Sequence, residues 1–152
     1  MKKLLDRIFI DGLTGMAQGL FATLIIGTII QQIGTYCGGN IGDLIFTLGK
    51  VAAGLTGAGI GAGVARKLDA GHLVIVSAAV VGMIGAFAGN VMSGDIVNGG
   101  SLVLSGPGEP LGAFVAAYIA IEIGILISGK TKLDIILTPL VCIGVGSAVG
   151  LL

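Results

Sequence analysis

Five long runs of apolar residues, each about the length needed to cross a bilayer as a helix, are separated by short polar connectors along this chain. The runs are Gly12–Ile33, Leu44–Ala65, Leu73–Val91, Pro110–Ile127 and Leu133–Leu152. The connectors read "GTYCGGNIGD", "RKLDAGH", "MSGDIVNGGSLVLSGPGE" and "SGKTK". This alternation predicts an all-α integral membrane protein with about five transmembrane helices. Residues 1–11 carry Leu4, Leu5, Ile8 and Phe9 against Lys2, Lys3, Asp6 and Arg7, which predicts an interfacial amphipathic segment ahead of a membrane domain over 12–152. The first apolar run is longer than the ~7–15 residues of a signal-peptide core and lacks a small-x-small cleavage site, so it reads as a retained helix.

The third connector departs from the pattern. It is polar at "SGDIVNGG", apolar at "SLVL" and rich in glycine and proline at "SGPGEP". Glycine tolerates unusual dihedrals and proline removes a backbone donor, so the segment is expected to be irregular. Irregular backbone at membrane depth survives only where protein buries it or a cavity solvates it. A re-entrant hairpin between helices three and four fits a stretch too short to span and too apolar for water. Pro110 suits the first turn of helix four, and Glu109 stands at that helix's positive end. Asp95, Asn98, Ser105 and Glu109 are expected to converge there, offering carboxylate and amide groups to a polyhydroxylated ligand.

Charge fixes an orientation. Lysine and arginine precede helix one and follow helices two and four, whereas the connectors after helices one and three contain neither. The positive-inside rule then places the N-terminus in the cytoplasm, and the alternation holds at every crossing. Two ionisable residues fall inside apolar runs, Lys50 and Glu122. A centred charge costs roughly 2.5 kcal/mol or more in lipid, so both are candidates to line a substrate path. For Lys50 the alternative is a stem that reaches the interface, and for Glu122 a protonated packing residue.

Composition narrows the classes further. Of 152 residues only 11% are charged, against roughly 25% in soluble domains, and 55% are hydrophobic. Eight cationic and eight acidic side chains balance, leaving no electrostatic case for nucleic acid. Cys37 and Cys142 make no disulfide framework, and no metal-ligand spacing, cofactor motif, nucleophile with its base or phosphate-cradling loop is present, so no enzyme active site is expected. Glycine occupies 29 positions, many at four-residue spacing within the runs, which favours close helix packing in lipid. "GAGIGAG" resembles the glycine-rich helix of the ATP synthase c subunit, but that family is a two-helix hairpin, and five runs argue against it.

The stretches "FIDGLTGMAQGLFATLIIGTIIQQIG", "LTGAGIGAGVA", "SAAVVGMIGA" and "GEPLGA" with "SGKTKLDIILTPL" resemble the IIC-type membrane proteins of the bacterial phosphotransferase system, in particular the second EIIC family. The resemblance runs through nearly the whole chain and is to the N-terminal half of such a protein. It implies a sugar permease component in the bacterial inner membrane, served by separate IIA and IIB phosphotransfer proteins. "GPGEP", Gly106–Pro110, is also similar to the "GITEP" loop of glucose-type IIC permeases. Gly106, Glu109 and Pro110 coincide with it while Pro107 and Gly108 depart, and the similarity implies a sugar contact for Glu109. An odd number of crossings and an uncapped C-terminus lead to the expectation of half an inverted-repeat transporter, completed by a second half or by another copy in a homo-oligomer. Two alternatives stand beside transport: a membrane sensor or scaffold that binds a small molecule, and a glycine-rich ion-conducting oligomer.

Overall fold

A computed structural model describes residues 1–104 and 106–152 of the chain. The order of elements is α1 (Lys2–Cys37), α2 (Gly39–Gly54), α3 (Thr56–Lys67), α4 (His72–Ala86), α5 (Ala88–Ser93), a two-stranded ribbon of β1 (Val97–Asn98) and β2 (Ser101–Leu102), then α6 (Pro110–Ile127) and α7 (Asp134–Gly150). The all-α class read from the apolar runs is what the chain adopts. Ser105, one of the expected pocket residues, lies outside the described residues.

Glycine determines how these helices meet. A Cβ placed at Gly15 would stand 2.6 Å from the Gly63 carbonyl oxygen, and one at Gly19 would stand closer still to that of Gly59. Both distances are far inside van der Waals contact, so α1 and α3 touch backbone to backbone in an antiparallel pair. Farther along α1, Gly27 meets Gly49 and Ala53, and Gly34 meets Gly42 and Phe46, all on α2. Thus α1 changes partner between Gly19 and Gly27. The helix widens into a π-helical stretch over Phe21–Ile25, within that interval, while α2 and α3 bend by 50° at Leu55. The same device joins α3 to α4 through Gly57, Gly61 and Gly82, and α4 to α6 through Gly85 and Gly112. Small buried residues such as Ala65, Ala78, Ala113, Ala117 and Ala120 complete the core, with Ile60, Val64, Val74 and Ile121 as its larger members.

Two of the expected spans are interrupted. The second breaks at Leu55, whose ψ of 13° leaves the helical region. The third breaks at Phe87, with φ −113° and ψ 21°, before resuming as α5. A tertiary contact accounts for the second break: the Ala86 carbonyl accepts a 2.7 Å hydrogen bond from the Glu109 backbone N–H, a partner 23 residues away in the sequence. By length and apolarity α1 and α6 are each able to cross a membrane, and the bent α2–α3 pair makes a third such unit. The helices α4 and α7 are apolar but have 15 and 17 residues, so helix length alone does not establish the five crossings expected.

The connector expected to be re-entrant contains the antiparallel ribbon, with Val97 opposite Leu102 and Asn98 opposite Ser101. Gly99 and Gly100 both have positive φ, as a two-residue hairpin turn of the primed type requires. Beneath the ribbon, Ile96, Leu102 and Leu104 face Val80, Met83 and Ile84 of α4 across an apolar groove.

Cationic residues collect at one end of the bundle. The antiparallel α1–α3 contact sets the start of α1 beside the end of α3, Gly71 faces the Ser128 hydroxyl, and Arg7 reaches Glu122. Lys2, Lys3, Arg7, Arg66, Lys67, Lys130 and Lys132 therefore share that end, and Lys50 is the eighth cation of the chain.

Candidate functional site

The Glu109–Pro110 step starts α6. Pro110 occupies the first turn, where its missing N–H costs nothing, and Glu109 is the N-cap. Its carboxylate accepts hydrogen bonds from the Leu111 N–H at 3.1 Å and the Gly112 N–H at 2.6 Å. Since Pro110 has no N–H and the Glu109 N–H is bonded to the Ala86 carbonyl, the carboxylate satisfies the two donors that the helix start otherwise leaves orphaned. Each carboxylate oxygen has a further lone pair, and the side chain is exposed. Immediately before it, Gly108 has φ +72°, and a Cβ there would lie 2.7 Å from the Ala86 Cβ. Only glycine meets both demands, so this residue brings the loop against the end of α4.

Between the broken end of α4, the start of α5 and the start of α6 lies an open cavity of about 410 Å3, lined among others by Ala86, Phe87, Gly89, Asn90, Gly108 and Glu109. Asn90 went unrecognised in the sequence because it falls inside the apolar run read as a single third span. The break that exposes it depends on the contact with Glu109.

The other expected site residues are dispersed. Asp95 accepts a 2.8 Å hydrogen bond from the Ser93 hydroxyl, and Asn98 sits exposed in the ribbon; neither lines the cavity at Glu109. Lys50 is exposed and lines a separate cavity of about 330 Å3 with Thr47, Gly54, Leu55, Met83 and Leu104. These two cavities flank the same loop, since Gly54 approaches the Gly106 carbonyl and Gly108 packs on Ala86. Glu122 is far from both. Its carboxylate accepts a 2.6 Å hydrogen bond from Arg7 Nε, while Lys50 adjoins the Gly27–Gly49 contact, about twenty residues and so roughly 30 Å farther along α1. Arg7 was expected on the polar face of an interfacial segment, and nothing local in the sequence marks it as the partner of Glu122. One turn before Glu122, the Tyr118 hydroxyl is buried without a hydrogen-bond partner among the described residues. No cluster of three or more His, Cys, Asp or Glu side chains able to hold a metal occurs among the described residues.

Apolar helices packed through glycine, large hydrophobic side chains facing outward along α1, α2 and α7, and a polar cavity at a broken helix define a polytopic membrane protein. Residues 10–152 match the family described as phosphotransferase system, EIIC, and the chain belongs to that family. EIIC proteins are the membrane-embedded sugar permease components of the phosphotransferase system. No curated protein and no solved structure matches the chain.

Proposed function

We propose that this chain is a sugar permease component of the phosphotransferase system whose substrate site is the cavity at Glu109. The observation that carries this reading is the meeting of two helix ends there. The interruption of α4 puts Asn90 on the cavity wall, and the capped start of α6 presents a carboxylate to it. Discontinuous helices meeting at a polar cavity are how many transporters recognise substrate in a low-dielectric setting. The partial likeness of Gly106–Pro110 to a sugar-contacting loop supports the same assignment for Glu109.

Within this reading the cationic end of the bundle is cytoplasmic, the sidedness the positive-inside rule gives. Residues 1–11 lie at the inner surface, the apolar segments make five crossings, and the connector over 94–109 re-enters the membrane with its ribbon against α4. Lys50 lies near the opposite end. Phosphate comes from IIA and IIB proteins, and the membrane unit is completed by a second half or another copy. Asp95 and Asn98 act by holding the connector, and Glu122 by holding α1 to α6.

The reading is tested by uptake of labelled glucose, galactose, mannitol and galactitol into vesicles bearing the protein in its complete membrane unit with IIA and IIB proteins. Glu109→Gln keeps the shape and removes the charge. Loss of a charge-assisted hydrogen bond of about 1.5–3 kcal/mol lowers sugar affinity roughly ten- to a hundredfold. Unchanged affinity would remove Glu109 from the site.

A further inference from the structure

We infer that Gly89 and Asn90 form the ligand-facing wall of the cavity at Glu109, and that the ligand it takes is a single sugar ring or a hexitol lying against the Gly89 backbone. This inference rests on the substrate site proposed above and assigns residues that the sequence pattern did not.

Gly89 lies within α5, and glycine is the poorest helix former after proline. At most other helical positions glycine has a visible reason. Gly15, Gly19, Gly27, Gly57 and Gly85 would each drive a Cβ into a neighbouring backbone, and Gly94, Gly99 and Gly108 have positive φ. Gly89 has neither reason: its φ is not in the left-handed region, and nothing lies within 4 Å of the position a Cβ would take. What it does have is a place on the cavity wall. Close approach of backbone to a ligand is one physical use of a side-chain-free position, and the cavity puts Gly89 where that use applies. Gly144 in α7 is equally uncrowded but lines neither this cavity nor the one at Lys50.

Asn90 adjoins it. Its backbone carbonyl accepts a hydrogen bond from the Ile96 N–H at 3.2 Å, which holds the main chain in place. Its side-chain amide, exposed and on the cavity wall, makes no hydrogen bond to the described residues. An amide both donates and accepts, whereas the Glu109 carboxylate only accepts. Adjacent hydroxyls of a polyol can donate to the carboxylate and exchange hydrogen bonds with the amide. The volume, about 410 Å3, falls at the low end of the range for small-molecule sites, which suits one ring.

The experiment uses the complete membrane unit in vesicles, with exposed Cys37 replaced by serine. Gly89→Cys and, as the water-exposed control, Asn40→Cys are labelled with a fluorescent maleimide in the presence of glucose, galactose, mannitol or galactitol. At least one of these is expected to slow labelling of Gly89→Cys about tenfold and leave Asn40→Cys unchanged. Gly89→Ala is expected to keep the thermal stability and lower calorimetric affinity for that sugar at least fivefold, and Asn90→Ala to lower it about tenfold. Wild-type affinity in both Gly89→Ala and Asn90→Ala, with loss in Glu109→Gln, would overturn this inference and leave the site at Glu109 standing. Loss in the two wall variants with Glu109→Gln unaffected would uphold the wall and remove the carboxylate. Failure of all four sugars to bind wild type or protect Gly89→Cys would overturn both.

Discussion

Arg7 and Glu122, 115 residues apart in sequence, are joined by a 2.6 Å hydrogen bond between the guanidinium Nε and a carboxylate oxygen. It ties the first turns of α1 to the cationic end of α6. Just beyond it, Gly12 lets the Phe114 ring approach α1, since a Cβ there would stand 3.2 Å from two ring carbons. The π-helical stretch Arg7–Gly12 spans the two contacts. A widened turn of this kind re-aims side chains without breaking the helix.

Removing one partner of this pair should cost more than removing both. Each side chain keeps about a third of its exposure, 35% and 34%, so the penalty falls below the ~3–5 kcal/mol of a fully buried pair, at about 1–2 kcal/mol. Glu122→Gln is therefore expected to lower the thermal midpoint in detergent by several degrees, and adding Arg7→Gln to recover part of the loss. A double variant as unstable as the sum of the singles would show that the two residues are not coupled.

Gly19→Ala is expected to destabilise strongly, by about 2 kcal/mol or more, because the new methyl meets the Gly59 carbonyl and the helices must separate. Gly144→Ala should be neutral or gain up to ~1 kcal/mol, since it adds helix propensity in open space. Equal midpoints for the two variants would argue against the α1–α3 contact.

Glu109 has a structural part to play whatever it binds. Glu109→Ala should cost about 1 kcal/mol through the lost cap, with faster amide exchange at Leu111 and Gly112 and little change near Ile127. Unaltered exchange at those two amides would mean that the carboxylate does not hold the turn.

Sidedness is open to a direct check. In a Cys37→Ser background, an impermeant maleimide added outside intact cells should label Asn40→Cys and miss Lys67→Cys until the membrane is opened. The reverse pattern would place the cationic end outside.

Local physics made much of this protein legible in its sequence. Apolar runs too long for a soluble core require helices, because in lipid each backbone group must be satisfied within its own segment. Glu109 followed by Pro110 marks a helix start, because a cap and an N1 proline act within one turn. Gly15 and Gly19, at four-residue spacing, announce a close contact but not its partner. Tertiary structure decided the rest. The interruption at Phe87 follows from the Glu109 N–H capturing the Ala86 carbonyl, and the residues on either side of it read as one uninterrupted span. Asn90 becomes part of a cavity only because of that break, and Glu122 finds Arg7 only because α1 docks on α6. Such pairings join residues far apart in the chain, and periodicity, which reports only the face a residue takes on its own helix, carries no information about which distant face it will meet.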